Sequence, residues 1–123
     1  MLVSLALLSG SATAAAAVQK TPKPPAIPSL PGKWSHAEIN VKIGGVPHTL
    51  ILDRGRITQV TATDFTLREA DGSIVDIPIA PTTLIAFRGF GLRPPVVMRK
   101  GLWAVAMRID DGAAVRVRVT RLP

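Results

Sequence analysis

The stretch that most constrains the fold is residues 55–80, GRITQVTATDFTLREADGSIVDIPIA. It contains three short runs in which apolar and polar residues alternate, and Asp71-Gly72 separates the second run from the third. An Asp-Gly pair between such runs is typical of a tight hairpin turn, because glycine accepts the positive φ that the turn requires. Alternation with a period of two gives each strand one apolar face. The stretch therefore predicts a three-stranded meander with one face against a core.

Runs of the same kind flank the meander on both sides. They lie between turn residues and cover residues 37–43, 48–52, 83–87, 103–109 and 115–119. Glycine pairs and Asp-Gly steps supply turns, whereas the two prolines of the loop at 88–95 argue against regular pairing there. We predict an all-β fold, either a small antiparallel OB-like barrel or a closed meander of six to eight short strands. Closure is favoured because it removes unpaired sheet edges.

The first 33 residues differ from the rest in composition. Residues 1–17 are an apolar run followed by small residues, with two sites that fit the A-x-A pattern of signal cleavage. No basic residue precedes this run, so we expect the natural start to lie upstream of Met1. The run is shorter than the ~20 apolar residues of a membrane span. Residues 18–33 contain five prolines and three lysines, which predicts an extended tether.

This organisation predicts an export signal at residues 1–17, a tether at 18–33 and a small β-barrel domain at 34–123. We expect the signal to be removed, so that the mature form has no transmembrane span and is secreted, periplasmic or held at the cell surface.

A series of short motifs follows the meander in a fixed order. They are GRITQV at 55–60, FTL at 65–67, DG at 71–72, VDI at 75–77 and TTLI at 82–85. The order resembles the signature G-x-V-T-x-V…F-T-L-x-x-x-D-G-x-x-V-x-V of a family of exported bacterial domains of unknown function. The resemblance covers about residues 55–122 and implies an OB-like small barrel. The matching positions are turn and core residues, so the resemblance implies no catalytic residue.

Composition excludes some chemistry and weakens one inference from charge. The chain has no cysteine, which excludes disulfides, thiolate metal sites and a cysteine nucleophile. Its formal net charge of +7 suggests an anionic partner, but the tether contributes three lysines. From residue 34 onward there are 12 basic and 8 acidic side chains, a net charge of +4. Aromatic residues make up only 4%, so the core must be mainly aliphatic.

One segment carries a candidate catalytic carboxylate. Residues 43–55, IGGVPHTLILDRG, resemble the first strands of retroviral-type aspartic proteases, which deliver Asp-Thr/Ser-Gly. Here Arg54 holds the hydroxyl position, and its charge would favour an ionised Asp53 over the shared proton of a catalytic pair. We therefore favour a structural role for Asp53 at a turn over a role as half of an aspartic-protease active site. No G-x-S-x-G elbow presents a serine either, and we predict no enzymatic activity and no cofactor.

A metal site is a further alternative. His36 and His48 could face each other across the first hairpin, and Glu38 could complete a weak site for a divalent cation. Two histidines without a third spaced ligand are more typical of a solvated polar face. We therefore predict no metal site.

Arginines form the remaining candidate site. Arg108, Arg116 and Arg118 alternate on the closing hairpin, and Arg88 and Arg93 lie in the loop before it. We expect the hairpin arginines to project together to solvent, near the two loop arginines. Such a face could bind a cell-wall polymer, an anionic lipid or nucleic acid, although a solvated strand face is the simpler interpretation.

The function predicted from these features is that of an exported, non-enzymatic interaction or structural module of the cell envelope. Its expected partner is an envelope polymer or protein, and polyanion binding through the arginine face is the alternative. Nucleic acid is disfavoured because a secreted protein rarely meets it. Single-strand binding also requires exposed aromatic platforms, and the alternation places Trp103 and Phe65 with the core, which leaves Phe90 between the two loop arginines.

Overall fold

The structure is a computed structural model that describes residues 24–88 and 98–121, together with the backbone of 91–93. The predicted signal and the first part of the tether lie outside the described residues, as does Phe90. The described part contains seven strands: β1 His36–Ile43, β2 Val46–Val60, β3 Asp64–Glu69, β4 Ile74–Phe87, β5 Gly91–Arg93, β6 Trp103–Ile109 and β7 Ala114–Thr120. The prediction of an all-β fold is confirmed. Within these residues no helix is long and apolar enough to cross a membrane.

Five of the strands are joined in a ring of pairings. β2 pairs with β3, β3 with β4, β4 with β7, β7 with β6, and β6 again with β2. β1 extends the sheet from the first half of β2, and β5 pairs with β4. The ring is barrel-like, and its strand order is not that of a simple meander, because β4 pairs with β7 as well as with β3 and β5.

One pairing departs from the predicted antiparallel arrangement. β4 and β7 run parallel, with Ile85 opposite Val117, whereas the other pairings are antiparallel. A parallel pair cannot be joined by a tight turn and requires a long connection. The chain supplies it, because β5 and β6 lie between the two strands in sequence.

β2 is one continuous strand of 15 residues, although the sequence predicts a break before Gly55. The strand changes partner instead of ending: β1 pairs with its first half and β3 with its second half. Gly55 permits this change, because a Cβ atom there would overlap the backbone carbonyl of Arg68 in β3. The glycine thus marks a close approach of two strands and not a turn.

β4 is also longer than predicted, because the runs at 75–79 and 83–87 form one strand of 14 residues. Its pairing with β7 shifts register between Ile79 and Leu84. The loop predicted at 88–95 contains the short strand β5. The turns are as predicted, with positive φ at Gly44, Gly45 and Gly72.

Two hydrophobic clusters stabilise the sheet. The inner cluster fills the ring and consists of Ile57, Phe65, Leu67, Ile77, Ile85, Met98, Ala104, Ala106, Ala114, Val117 and Val119. The outer cluster is centred on Leu50, Leu52 and Met107, against which residues of β1 and of the segment before it pack. Successive residues of a strand point to opposite faces, so β2 and β6 contribute to both clusters.

β6 presents the opposite face to the one predicted. The alternation was expected to place Trp103 with the core, but Ala104 and Ala106 belong to the inner cluster, while Met107, on the same face of β6 as Trp103, belongs to the outer one. A ring of only five strands has little interior space, so the smaller set of side chains points inward. Trp103 is therefore only partly buried.

Part of the predicted tether packs on the barrel. Ile27 and Leu30 contact the outer cluster. Arg116 donates hydrogen bonds from Nε to the carbonyl oxygen of Pro25, at 2.9 Å, and from Nη2 to that of Pro24, at 3.1 Å. Proline has no N–H group but keeps its carbonyl acceptor, so a cationic side chain can hold a proline-rich segment in place. Residues 24–33 consequently form part of the surface of the domain.

Candidate functional site

A cleft opens on the outer face of β6 and β7, beside the packed N-terminal segment. Its volume is about 350 Å³. Trp34, Arg54, Arg88, Trp103 and Arg118 line it and define what we call the tryptophan cleft. The backbone segment 28–30 forms one of its walls.

The floor of the cleft is set by strand register. Arg54 of β2 lies opposite Val105 of β6, and Val105 lies opposite Arg118 of β7. These three residues form a row across adjacent strands. Strands are about 4.8 Å apart, so the two arginines are separated by roughly 10 Å at the backbone, with an apolar residue between them.

The tryptophans lie next to arginines of β2. The guanidinium carbon of Arg54 is 5.7 Å from the ring centroid of Trp34, and that of Arg56 is 5.5 Å from the ring centroid of Trp103. Both separations are within the range of a cation–π interaction. Each contact holds a flat apolar ring and a cation side by side at the edge of the cleft.

The electrostatic character of the cleft is cationic. Within residues 24–88 and 98–121, no acidic side chain lines it. Among the described residues, no carboxylate lies within ion-pair distance of Arg54, Arg88 or Arg118. Three guanidinium groups without an internal counter-ion face solvent together, and this arrangement attracts anions.

The five predicted arginines do not form one face. Arg88 and Arg118 meet in the tryptophan cleft. Arg116 holds the N-terminal segment. The prediction that Arg108 projects to solvent beside them is wrong: its side chain is 18% exposed and its Nη2 lies 3.9 Å from Oδ2 of Asp53. Arg108 lies on the same face of β6 as Ala104 and Ala106, which belong to the inner cluster. Arg93 is described only in its backbone.

A second group of polar residues lies where β1, β2 and β3 meet. It consists of His36, Asp53 and Glu69, and we call it the carboxylate cluster. Asp53 is 2% exposed and Glu69 is 6% exposed, whereas 44% of the His36 side chain is accessible. Each residue offers one potential ligand atom, and these atoms all lie within 4.8 Å of one another.

Hydrogen bonds orient the histidine of this cluster. Nδ1 of His36 lies 2.7 Å from Oδ1 of Asp53, and Nε2 lies 2.9 Å from Oε2 of Glu38. The hydrogen bond to Asp53, and after it the one to Glu38, raises the pKa of His36 above its ordinary value. Burial, followed by the hydrogen bond and charge of Asp53, raises the pKa of Glu69 to about 8. Glu69 is therefore protonated at neutral pH.

Some buried polar atoms in and beside the carboxylate cluster lack hydrogen-bond partners. Oδ2 of Asp53, Oε2 of Glu69 and Nε of Arg108 are buried, and among the described residues they have no hydrogen-bond partner except for a proton on Glu69 that the two carboxylates can share. Buried polar atoms are normally paired, because leaving them unpaired costs about 1–3 kcal/mol each. Two of these three atoms belong to carboxylates of the cluster.

The structure places Asp53 differently from the predicted strand-end position. Asp53 lies within β2 on the side of the ring interior, and at 2% exposure its carboxylate has no access to a peptide substrate. His36 and His48 are not brought together, because they lie at opposite ends of the β1–β2 ladder. His48 instead pairs with Asp110, with 2.8 Å between Nδ1 and Oδ2.

Comparison with known proteins adds no relative: no family model, no curated protein and no solved structure matches this chain.

Sequence reasoning missed two components of these sites. Trp34 and Arg54 were not recognised as parts of a binding surface, although Arg54 and Arg56 share a parity with Leu50 and Leu52 on the outer face of β2. Glu69 was not recognised at all. The alternation could have indicated its position, because Glu69 lies on the same face of β3 as Phe65 and Leu67, which point into the ring.

Proposed function

We propose that this protein is an exported, non-enzymatic binding module of the cell envelope, and that the tryptophan cleft binds an anionic envelope polymer. The observation that carries the proposal is the row formed by Arg54, Val105 and Arg118, in a cleft that two tryptophans also line. The row presents two cations on a partly apolar floor and contains no acid.

The chemistry of the lining favours repeated phosphate or carboxylate groups joined by less polar units. A guanidinium group binds either anion in a bidentate manner, and it keeps its charge at any physiological pH. The indole rings offer flat apolar surfaces for the intervening carbons or sugar rings. A polymer with alternating anionic and apolar parts matches both properties of the lining.

The dimensions of the cleft favour a polymer over a small molecule. A volume near 350 Å³ is at the lower end for pockets that enclose small ligands. The cationic surface continues beyond the cleft, because Arg56 lies against the outer side of Trp103. A chain crossing the cleft can contact both arginine–tryptophan pairs.

Envelope location is proposed from the N-terminal sequence alone, because no family model matches the chain and the resemblance to exported bacterial domains therefore adds no support. An anionic lipid surface is less well supported. The large hydrophobic residues that are exposed in the described part of the chain are Val46 and Ile74, and neither lines the cleft. Binding to lipid head groups usually combines basic residues with inserted apolar ones.

The proposal is tested with the full-length chain and poly(glycerol phosphate) as the probe. We expect the triple variant Arg54→Gln/Arg88→Gln/Arg118→Gln to lose at least about tenfold in affinity, since each charge-assisted contact is worth about 1.5–3 kcal/mol before solvent screening. The matched control is Arg68→Gln/Arg99→Gln/Arg121→Gln, which removes the same charge at exposed positions outside the cleft.

The outcomes separate the alternatives. Equal losses in both triple variants would show that binding follows net charge and not the cleft. Preference for vesicles of anionic lipid, or for single-stranded oligonucleotides, over poly(glycerol phosphate) would assign the cleft to those partners. Absence of binding to all three probes at low ionic strength would contradict the proposal.

Export has its own test. The coding sequence is expressed with an upstream start codon, and the mass of the exported protein is measured. We expect a new N-terminus between Ala15 and Val18. Soluble, folded protein that still begins with Met1 would contradict export by signal cleavage.

A further inference from the structure

We propose that His36, Asp53 and Glu69 form a binding site for one divalent transition-metal ion, with Zn²⁺ as the best match to the donor set. This site is independent of the tryptophan cleft and of the function proposed for it. Its residues come from three neighbouring strands: His36 lies opposite Asp53 in the β1–β2 ladder, and Glu69 ends β3.

The donor set fits this class of metal. One imidazole nitrogen and two carboxylate oxygens suit Zn²⁺ and related transition ions, whereas Ca²⁺ and Mg²⁺ prefer oxygen ligands alone. Three protein ligands leave a fourth position of a tetrahedral ion for water. That position is reachable from solvent, because the imidazole side of the cluster is exposed.

The geometry requires only small movements. Ligands of tetrahedral Zn²⁺ at about 2.1 Å from the ion lie about 3.4 Å from one another. The ligand atoms of the cluster are already within 4.8 Å of one another, and Nδ1 of His36 lies 2.7 Å from Oδ1 of Asp53. The ion would replace the proton on His36 Nδ1, move the imidazole slightly away from Asp53, and take Oδ2 of Asp53 and Oε2 of Glu69 as its carboxylate ligands. The exposed imidazole can rotate to make this adjustment.

Two further observations point to a ligand. The first is the pair of buried carboxylate oxygens, on Asp53 and Glu69, whose one available partner among the described residues is a proton shared between the two side chains, which an ion would replace. The second is the hydrogen bond between His36 Nε2 and Glu38. A histidine that binds a metal through one nitrogen typically donates the other N–H group to a carboxylate, which fixes the ring. Glu38 is in the position to accept it.

The charges of the site also balance around a divalent ion. Asp53, Glu69 and Glu38 contribute three negative charges when ionised, and Arg108 contributes one positive charge beside Asp53. A neutral His36 and a divalent cation bring the sum to zero. A buried charge is tolerated only when it is compensated in this way.

The test uses the full-length chain, first treated with a chelator and then titrated with Zn²⁺. We expect one ion per chain by calorimetry and a thermal midpoint that rises with Zn²⁺ concentration, because an ion that binds only the folded state stabilises it by mass action. Co²⁺ should give visible absorption bands that identify nitrogen and oxygen ligands in the bound state.

Two variants and one matched control distinguish this site from surface binding. His36→Ala and Glu69→Gln should each lose at least about tenfold in Zn²⁺ affinity, since even supporting residues of metal sites have effects of that size. His48→Ala removes the other histidine, which also pairs with a carboxylate but has no third ligand nearby. It should bind Zn²⁺ like the parent chain.

Glu69→Gln also guards against loss of folding, because glutamine has the shape of a protonated glutamate. Its thermal midpoint without metal should stay close to that of the parent at pH 7, while the increase caused by Zn²⁺ disappears. No shift and no binding heat in the parent chain would overturn the proposal. Equal loss of affinity in His36→Ala and His48→Ala would overturn it as well, by assigning the ion to the surface histidines in general.

Discussion

His36 and Asp53 lie directly opposite each other in the β1–β2 ladder, and their side chains are joined at 2.7 Å between Nδ1 and Oδ1. The imidazole is partly in solvent, whereas the carboxylate is nearly inaccessible. This contact connects the surface to an ionisable group inside the barrel. The protonation of the cluster, and therefore the stability of the fold, can respond to the pH of the solution.

The first prediction is that the chelator-treated chain becomes less stable as pH rises from about 5 to 9. The pKa of Glu69 is raised from 4.5 to about 8 in the folded state, so its contribution is complete below pH 4.5 and is lost as pH approaches 8. The raised pKa of His36 acts in the same direction above pH 6.5. We expect the thermal midpoint to fall by more than about 10 °C over this range, because each pKa unit is worth about 1.4 kcal/mol and each kcal/mol shifts the midpoint by about 4–8 °C.

Glu69→Gln is the control for this pH dependence. The variant cannot lose a proton, so most of the decrease should disappear while the part due to His36 remains. A parent chain whose midpoint is flat or rises between pH 5 and 9 would contradict the assignment of a protonated Glu69. Below about pH 4 the lowered pKa values of Asp71 and Asp110 act in the opposite sense, and their contribution is lost as pH falls.

The second prediction concerns the change of partner along β2. Gly55→Ala should destabilise the domain by about 2 kcal/mol, or roughly 10 °C, because the added Cβ would overlap the Arg68 carbonyl and the two strands would have to separate. The control is Gly45→Ala, where φ is positive but the surrounding space is open. Its cost should be only about 1 kcal/mol. A smaller loss at Gly55 than at Gly45 would contradict the close approach of β2 and β3.

Much of the fold follows from alternation and turn residues, but strand continuity and partner order do not. Glycine at position 55 reads locally as a turn, and only the position of β3 shows that it is a close contact. The face of β6 was predicted from the larger side chains, whereas the small interior of the ring favours alanine. Parallel pairing of β4 with β7 depends on contacts far apart in sequence, which no local pattern encodes.

The candidate sites, like the fold, follow only partly from the sequence. Glu69, Asp53 and Arg108 each lie on the inward face of a different strand. The alternation of apolar and polar residues along those strands could have indicated this. Their meeting point depends on the register between strands, which the sequence does not reveal. The tryptophan cleft depends in addition on how residues 24–33 pack, and proline-rich composition predicts an extended chain without predicting its contacts.

The third prediction is that Arg116 anchors the N-terminal segment. Arg116→Gln should release residues 24–33 and speed tryptic cleavage after Lys33 by about tenfold, because two hydrogen bonds from a charged donor are lost. The global thermal midpoint should change little, since the segment can open locally. Arg68→Gln serves as the control, because it removes the same charge at an exposed position outside the cleft that residues 28–30 line. Equal cleavage rates in the two variants would contradict the anchoring role.

The most direct test of the proposed function uses the intrinsic fluorescence of the protein. The chain has two tryptophans and no tyrosine, and both tryptophans line the cleft. Titration of the full-length chain with poly(glycerol phosphate) should therefore produce a saturable change in emission at low ionic strength. The change should weaken strongly at about 0.15 M salt, where the Debye length is about 8 Å. It should be absent in Arg54→Gln/Arg88→Gln/Arg118→Gln. Binding of the polymer with no change in tryptophan emission, or with the same change in the triple variant, would contradict the assignment of the cleft as the binding site.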